Sequence, residues 1–245
     1  MTPAAKEVGV IQPHGALMPL AENLWTVEGT IKMPTGQLPR RMTIARLRSG
    51  ELVIFSAIAL SETAMHEVEA LGRPAYLIVP NGFHREDAPT WKARYPWLQV
   101  LTPSGARAGV EAVVHVDSCE DIFADETVLF QTVPGTREME SALLVAGEAG
   151  TTLIVNDLIG NVQNAHGPMK LVLWLMGFAG RRPQVPRAFA ARVVTDKAAV
   201  ARQLRSWSSI SDLRRIVVSH GATIEQDAKG VLVALADRMA KAARS

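Results

Sequence analysis

The sequence contains very little cysteine and no long hydrophobic run. Cys119 is the only cysteine among 245 residues, which excludes an intrachain disulfide and any zinc site built from several cysteines. The longest apolar helix candidate, residues 169–180, is shorter than the roughly 20 residues that span a bilayer. Residues 1–25 contain no basic stretch followed by a long apolar core, so no signal peptide is evident. We therefore expect a soluble cytoplasmic protein without a membrane partner.

Neither sign of charge dominates, and no repeat is visible. The chain has 26 basic and 24 acidic residues, so composition does not imply binding to nucleic acid. A basic stretch at 181–205 is interpreted as a solvated helix face. Phosphate or RNA binding there is the less favoured alternative, because no interleaved aromatics offer a stacking platform. The absence of heptads and of longer repeats excludes coiled coils and solenoids.

Strand and helix signals alternate along the chain. Residues 41–60 predict a hairpin around Ser49–Gly50, and Ser61 is the expected N-cap of a helix that ends at Gly72. Further strands are predicted at 74–80, 98–102, 128–135, 141–147, 151–158 and 215–220, and further helices at 87–95, 168–179, 196–207 and 227–243. Such an order predicts mixed sheets with helices as outer layers.

The two halves of the chain resemble each other in organisation. Each half, about 20–130 and 131–245, begins with hairpin strands and ends with strand–helix units. No linker rich in proline, glycine or serine separates them. We therefore expect a single domain over 1–245.

Three of the apolar strands end in side chains that can bind metal or transfer protons. Singly, each has an ordinary explanation, such as a surface histidine or an aspartate that caps a turn. Ligand sites in layered α/β folds gather at the carboxyl ends of strands, so three such ends together favour a site. The side chains are Asn81, His84, Arg85, Glu86 and Asp87 after the first strand, Asn156 and Asp157 after the second, and His220 after the third.

Four segments resemble successive motifs of the metallo-β-lactamase superfamily, in a poorly characterised bacterial branch. They are "RMTIARLRSGELVIFSAIAL", "YLIVPNGFHREDAPTWKARYP", "TTLIVNDLIGN" and "VVSHGATIE", and the resemblance covers about residues 20–240. It implies an α/β fold, a four-layer αββα sandwich with two mixed sheets and a metal site at one edge of both.

The resemblance also implies a metal-binding motif, which is degenerate here. Active members carry a His-X-His-X-Asp-His loop, a later histidine, an aspartate after a strand and a final histidine. The loop corresponds to 81–87, the aspartate to Asp157 and the last histidine to His220. The loop keeps one histidine, His84, and no later histidine is found in "TVPGTREMES". Ser56 replaces an aspartate that many members carry after the hairpin.

The retained residues suffice for one metal ion. His84, Asp157 and His220 would hold a single divalent ion, zinc, iron or manganese, while a two-metal site is under-supplied. Glu86 and Asp87 are the candidates for a further ligand or a general base.

Asn81 and Arg85 are the expected substrate-binding residues. Arg85 would add a cation that disfavours a second metal ion and attracts an anionic group.

Two functions remain open from the sequence. The first is a metal-dependent hydrolase in which activated water attacks a small ester, lactone or phosphoester. The second is a catalytically inactive binding protein of the same fold that holds no metal.

The loops expected to select a substrate are 30–40 and 159–168. The helix at 169–180 is apolar around much of its circumference, which predicts burial or, slightly favoured, a homodimer contact.

Overall fold

A computed structural model describes residues 11–165 and 167–244 of the chain. The first ten residues, on which part of the signal-peptide argument depends, lie outside the described residues. Within the described part, no helix combines the length and the apolar character needed to cross a membrane.

The first sheet is built entirely from the first half of the chain. Its six strands follow one another in sequence order, antiparallel from β1 to β4 and parallel from β4 to β6. Helices α1 (Glu62–Leu71) and α2 (Ala88–Arg94) make the two parallel crossovers. The strands are β1 (His14–Ala21), β2 (Leu24–Met33), β3 (Gly36–Arg46), β4 (Glu51–Phe55), β5 (Arg73–Ile78) and β6 (Gln99–Leu101). The short helix α3 (Arg107–Glu111) follows the sheet.

The second sheet belongs to the second half. Its order is β10-β9-β8-β7, with β9 and β10 parallel and the other pairs antiparallel. Its strands are β7 (Val128–Thr132), β8 (Ser141–Val145), β9 (Thr151–Asn161) and β10 (Leu213–Gly221). Its helices are α4 (Gly167–Met176), α5 (Arg187–Val193), α6 (Lys197–Ser208) and the final α7 (Ala228–Ala242).

The layers follow from the alternation of side chains along the strands. On β4, Val53 and Phe55 face the second sheet, whereas Leu52 and Ile54 face the helices α1 and α2. Trp207 of α6 is part of the matching core on the outer face of the second sheet. The result is helix, sheet, sheet, helix, which confirms the predicted four-layer αββα sandwich.

Two predicted helix caps differ from expectation. Ser61 stands at the N-cap position of α1 without a capping side-chain bond, and its backbone N–H donates instead to Nε2 of His14. Asp87 at the start of α2 does not cap either, because its carboxylate pairs with Arg40. By contrast, the Asp196 side chain accepts a bond from the backbone N–H of Ala199, as predicted for the N-cap of α6.

The segments predicted as substrate loops are partly strand. Residues 30–40 form the end of a long hairpin, in which β2 and β3 pair as far as Met33 and Gly36. Likewise β9 continues to Asn161 and takes in the start of 159–168. The polar, proline- and glycine-containing composition of these segments suggested loops, but pairing between neighbouring strands outweighs that local preference.

Candidate metal centre

His84, Asp157 and His220 meet at one edge of the two sheets. Nε2 of His220 lies 3.1 Å from Nε2 of His84 and 3.1 Å from Oδ1 of Asp157. The distance from Nε2 of His84 to Oδ1 of Asp157 is 3.6 Å. The three residues proposed from the sequence as metal ligands are therefore brought together, and all three line one pocket.

Asp157 reaches this position through an irregularity in β9. It lies inside the strand rather than after its end. From Val155 to Gly160, β9 advances five residues, while β10 advances only two, from Val218 to His220. Extra residues of this kind bend a strand and redirect its side chains. The bulge therefore places the Asp157 carboxylate beside the final histidine.

The loop after β5 presents His84, and Asn81 fixes the shape of that loop. Oδ1 of Asn81 accepts hydrogen bonds from the backbone N–H groups of Phe83 and His84, at 2.9 and 3.2 Å. Its Nδ2 donates to Oδ2 of Asp157 at 2.8 Å and to Oε2 of Glu140 at 2.8 Å. Asn81 was proposed to bind substrate, yet it is buried, and these contacts join the histidine loop to the aspartate.

The outer nitrogen of each histidine is held by a polar partner. Nδ1 of His220 lies 2.6 Å from the carbonyl oxygen of Pro39, which only accepts, so Nδ1 carries a proton. In the neutral ring, Nε2 then offers a lone pair to the site. Nδ1 of His84 lies 2.9 Å from Oγ of Ser56, a residue held at a left-handed φ of 57°. Such outer contacts orient histidines that bind metals.

The arrangement fits a metal ion. Zinc holds nitrogen and oxygen ligands at about 2.0–2.2 Å in a tetrahedron, which separates neighbouring ligand atoms by about 3.3–3.6 Å. The three distances between Nε2 of His84, Nε2 of His220 and Oδ1 of Asp157 are 3.1, 3.1 and 3.6 Å. Two imidazole nitrogens and a carboxylate oxygen this close need a cation or a shared proton between them.

The same geometry perturbs the acid–base groups of the cluster. Burial would raise the pKa of Asp157, but the nearby imidazoles of His84 and His220 outweigh it and hold that pKa well below its usual range. Burial would lower the pKa of His220, yet the hydrogen bond and charge of Asp157 raise it overall. Without metal, a proton on His220 therefore stabilises the cluster.

Glu140 is a part of the centre that the sequence did not reveal. Its side chain is fully buried, and Oε1 accepts a hydrogen bond at 2.9 Å from the backbone N–H of Asp157. Burial, and then the charge of Asp157, raise the pKa of Glu140 well above its usual value. The segment "TREMES" contains no histidine, and nothing in its composition indicates that the carboxylate just before β8 is buried beside Asp157.

The other proposed residues have different surroundings. Asp87 lines the pocket and forms a buried ion pair with Arg40, which the sequence did not single out. Glu86 also lines the pocket, with a largely exposed side chain. Arg85 points to the carbonyl oxygen of Gly109 and lies 3.7 Å from the Glu86 carboxylate, so it does not line the pocket. Arg40 is therefore a cation beside His220, and Arg192 is the other arginine that lines the pocket.

The pocket above the centre is mostly apolar and has a volume of about 290 Å³. Its polar base carries Ser56, the three clustered side chains and the pair of Arg40 and Asp87. The hairpin β2–β3, α4, the turn after it and α5 supply the apolar walls. These walls are formed by Ile31, Met33, Leu38, Met169, Val172, Leu173, Met176, Phe178 and Phe189.

Comparison with known proteins identifies the fold. No protein-family model and no curated protein matches the sequence. Among solved structures, the metallo-β-lactamase FIM-1 from Pseudomonas aeruginosa, in a mono-zinc form, is similar with a TM-score of 0.61 and 10% identity, over 92% of this chain and 96% of that one.

Metallo-β-lactamases from two further organisms are similar to the same degree. That from Erythrobacter litoralis has a TM-score of 0.61 and 14% identity, covering 91% of this chain and 96% of the other. That from Hirschia baltica has a TM-score of 0.61 and 9% identity, covering 92% and 98%. The chain therefore has the metallo-β-lactamase fold, which confirms the fold that the resemblance implied. Identities this low establish the fold alone.

Proposed function

We propose that this protein is a metal-dependent hydrolase whose single divalent ion, zinc, iron or manganese, is held by His84, Asp157 and His220. The observation that carries the proposal is the convergence of their donor atoms at distances typical of ligands around one ion. Such an ion supplies Lewis acidity and lowers the pKa of water that it coordinates. A cytoplasmic location and a reduced Cys119 belong to the same proposal.

The protein's own residues would position the ligands and handle the proton. Asn81 and Glu140 hold Asp157 from two sides, through its Oδ2 and its backbone N–H. Asp87 stands at the base of the pocket as a carboxylate that can accept a proton from the attacking water, and Arg40 keeps it in place. Glu86, at the rim, is the alternative base.

The pocket supports a substrate with an apolar portion. Its walls would exclude water around an acyl or aryl group, while the reacting ester, lactone or phosphoester bond lies over the polar base. Arg40 takes the role first proposed for Arg85, since its buried guanidinium lines the pocket. Its Nε and Nη2 are buried without a hydrogen-bond partner among the described residues and its Nη1 is paired with Asp87, so Arg40 would act on an anionic group of a substrate through its charge and not by direct contact.

A metal-free binding protein is the second candidate. The observation that favours it is the 3.1 Å contact between Nε2 of His220 and Oδ1 of Asp157, because a protonated imidazole can donate to Asp157 there and satisfy the cluster without an ion. The fold would then retain the polar residues as a hydrogen-bonded link between the two sheets.

Metal content separates the two candidates. Untagged protein is analysed by plasma mass spectrometry as purified and after incubation with zinc, iron or manganese. We expect about one ion per chain, lost in His84→Ala and His220→Ala. His115→Ala, which removes a histidine whose side chain is 72% exposed, is the matched control and should keep the ion. Metal-loaded protein is then screened on esters, lactones and phosphoesters. Protein that binds no metal under any of these conditions would exclude the hydrolase mechanism and favour the binding protein.

A further inference from the structure

The helix α4 exposes apolar side chains beside the mouth of the pocket. Leu171, Trp174 and Leu175 are 60%, 54% and 58% exposed, although the opposite side of the helix packs through Met169 and Leu173. Large apolar side chains grouped in this way on a surface mark an interaction site. We call this surface, with the basic residues that surround it, the α4 face.

The basic residues of the α4 face have no acidic counterparts in their own part of the chain. Residues 158–195 contain no aspartate or glutamate. The guanidinium of Arg187 lies 5.6 Å from the centre of the Trp174 ring, so charge and aromatic side chain are adjacent. Lys170 of α4 and Arg187 are the exposed cations placed on the face, and Arg181, Arg182 and Arg192 are further exposed cations that follow the helix in sequence.

The neighbouring β2–β3 hairpin also exposes apolar and basic side chains. Met33 and Lys32 are exposed at its tip, and residues 29–50 also lack acidic side chains. Three acidic residues line the pocket below: Asp87 is paired with Arg40, Asp157 lies against His84 and His220, and Glu86 has a largely exposed side chain. The surface around the pocket mouth is therefore apolar at its centre and predominantly cationic around it.

We propose that the α4 face docks the protein on an anionic lipid surface. An apolar helix face that inserts among lipid headgroups, surrounded by Lys and Arg, is the pattern of a peripheral membrane contact. Symmetry disfavours a second copy as the occupant, because a twofold contact through this face would set the cations of one copy against those of the other. The proposal departs from the sequence-based expectation of no membrane partner, which was argued from the short apolar run and the lack of a signal peptide and not from the α4 face.

The position of the α4 face beside the pocket mouth fits docking on a lipid surface. The hairpin and α4 also form part of the pocket wall, through Met33 of the hairpin and Val172 and Met176 of α4. An amphiphile held in the lipid surface would therefore meet the pocket mouth directly. Docking itself requires neither metal nor turnover, so its failure would leave the proposed hydrolase untouched.

Vesicle sedimentation tests the proposal with the full chain. We expect binding to vesicles of phosphatidylcholine mixed with phosphatidylglycerol, weakened by salt, and little binding to phosphatidylcholine alone. Each basic residue near an anionic surface contributes about fivefold to partitioning, so the double variant Lys170→Gln, Arg187→Gln should bind about 25-fold more weakly. Lys241→Gln with Arg244→Gln removes the same charge elsewhere and should bind within about twofold of the unaltered protein.

A second variant removes apolar side chains from the α4 face. Leu171→Ser with Leu175→Ser should lower partitioning roughly tenfold while leaving the circular dichroism spectrum unchanged. Vesicle binding that is absent, or equally reduced in the Lys241 and Arg244 control, would overturn the proposal. So would sedimentation equilibrium that shows a lipid-free dimer converted to monomer by the two serine substitutions, since the face would then be a homodimer contact.

Discussion

Replacement of Asn81 by alanine should weaken both the fold and the metal centre. Its Nδ2 donates to Glu140 and to Asp157, at 2.8 Å each, and all three side chains are buried. A hydrogen bond to a charged group contributes about 1.5–3 kcal/mol and a neutral one about 0.5–1.5 kcal/mol. Loss of the bonds to Asp157 and Glu140 and of the two bonds that Oδ1 accepts therefore predicts a decrease of about 3–7 kcal/mol in the free energy of unfolding. The side chains of Asp157 and Glu140 would also lose the amide group that donates to both.

Two assays separate the effects of this substitution. Urea unfolding at neutral pH measures the loss of stability, and competition with a chromophoric chelator measures metal affinity. Affinity should fall about 10- to 100-fold, as for other residues that orient metal ligands. Asn164→Ala, at an exposed site, is the matched control and should change neither quantity. If Asn81→Ala unfolds within about 0.5 kcal/mol of the unaltered protein, Asn81 does not link the two carboxylates as argued.

Two further predictions concern pH and backbone geometry. Burial, and then the bond to Glu69, raise the pKa of Tyr95 to about 12. The neutral phenol therefore adds stability that is complete below about pH 10 and lost as the pH rises towards 12. The advantage of the unaltered protein over Tyr95→Phe in urea unfolding should disappear over that interval, and an advantage independent of pH would refute the argument. Gly221 has a φ of +112°, and a Cβ there would lie 2.1 Å from the carbonyl oxygen of Asn161. Gly221→Ala should lower the unfolding free energy by at least about 1–3 kcal/mol, whereas Gly82→Ala, in open space, should be nearly neutral; equal effects of the two substitutions would contradict the clash.

The sheets were predictable because their strands contain short runs of apolar residues. The segment 74–80 is almost wholly apolar, and 151–158 and 215–220 have apolar centres, as expected of strands covered on both faces. Residues 30–40 were not predictable in the same way. The ends of the two strands within this segment are exposed at 32–37, and the segment contains proline and glycine, so only pairing with each other reveals the strands.

The three proposed ligands could be predicted because each stands beside a strong strand signal. Their outer partners could not. Glu140 lies far from Asp157 in sequence, and its role arises from the bulge in β9, which has no signature in composition. Arg40 was likewise hidden within a hairpin taken for a loop, while Arg85, next to His84, drew attention by sequence proximity alone.

The placement of Arg40 bears on how many ions the centre can hold. Its buried guanidinium lies close enough to His220 to oppose the rise in the pKa of that histidine. Asp87 forms an ion pair with this guanidinium and is therefore not available as a metal ligand. It belongs to the loop that resembles the ligand loop of active superfamily members. A second divalent ion would therefore meet both an unfavourable charge and one donor fewer. One metal ion, or one proton, is enough to hold the side chains of His84, Asp157 and His220 together. Whether the cluster holds the ion or the proton decides between the hydrolase and the binding protein.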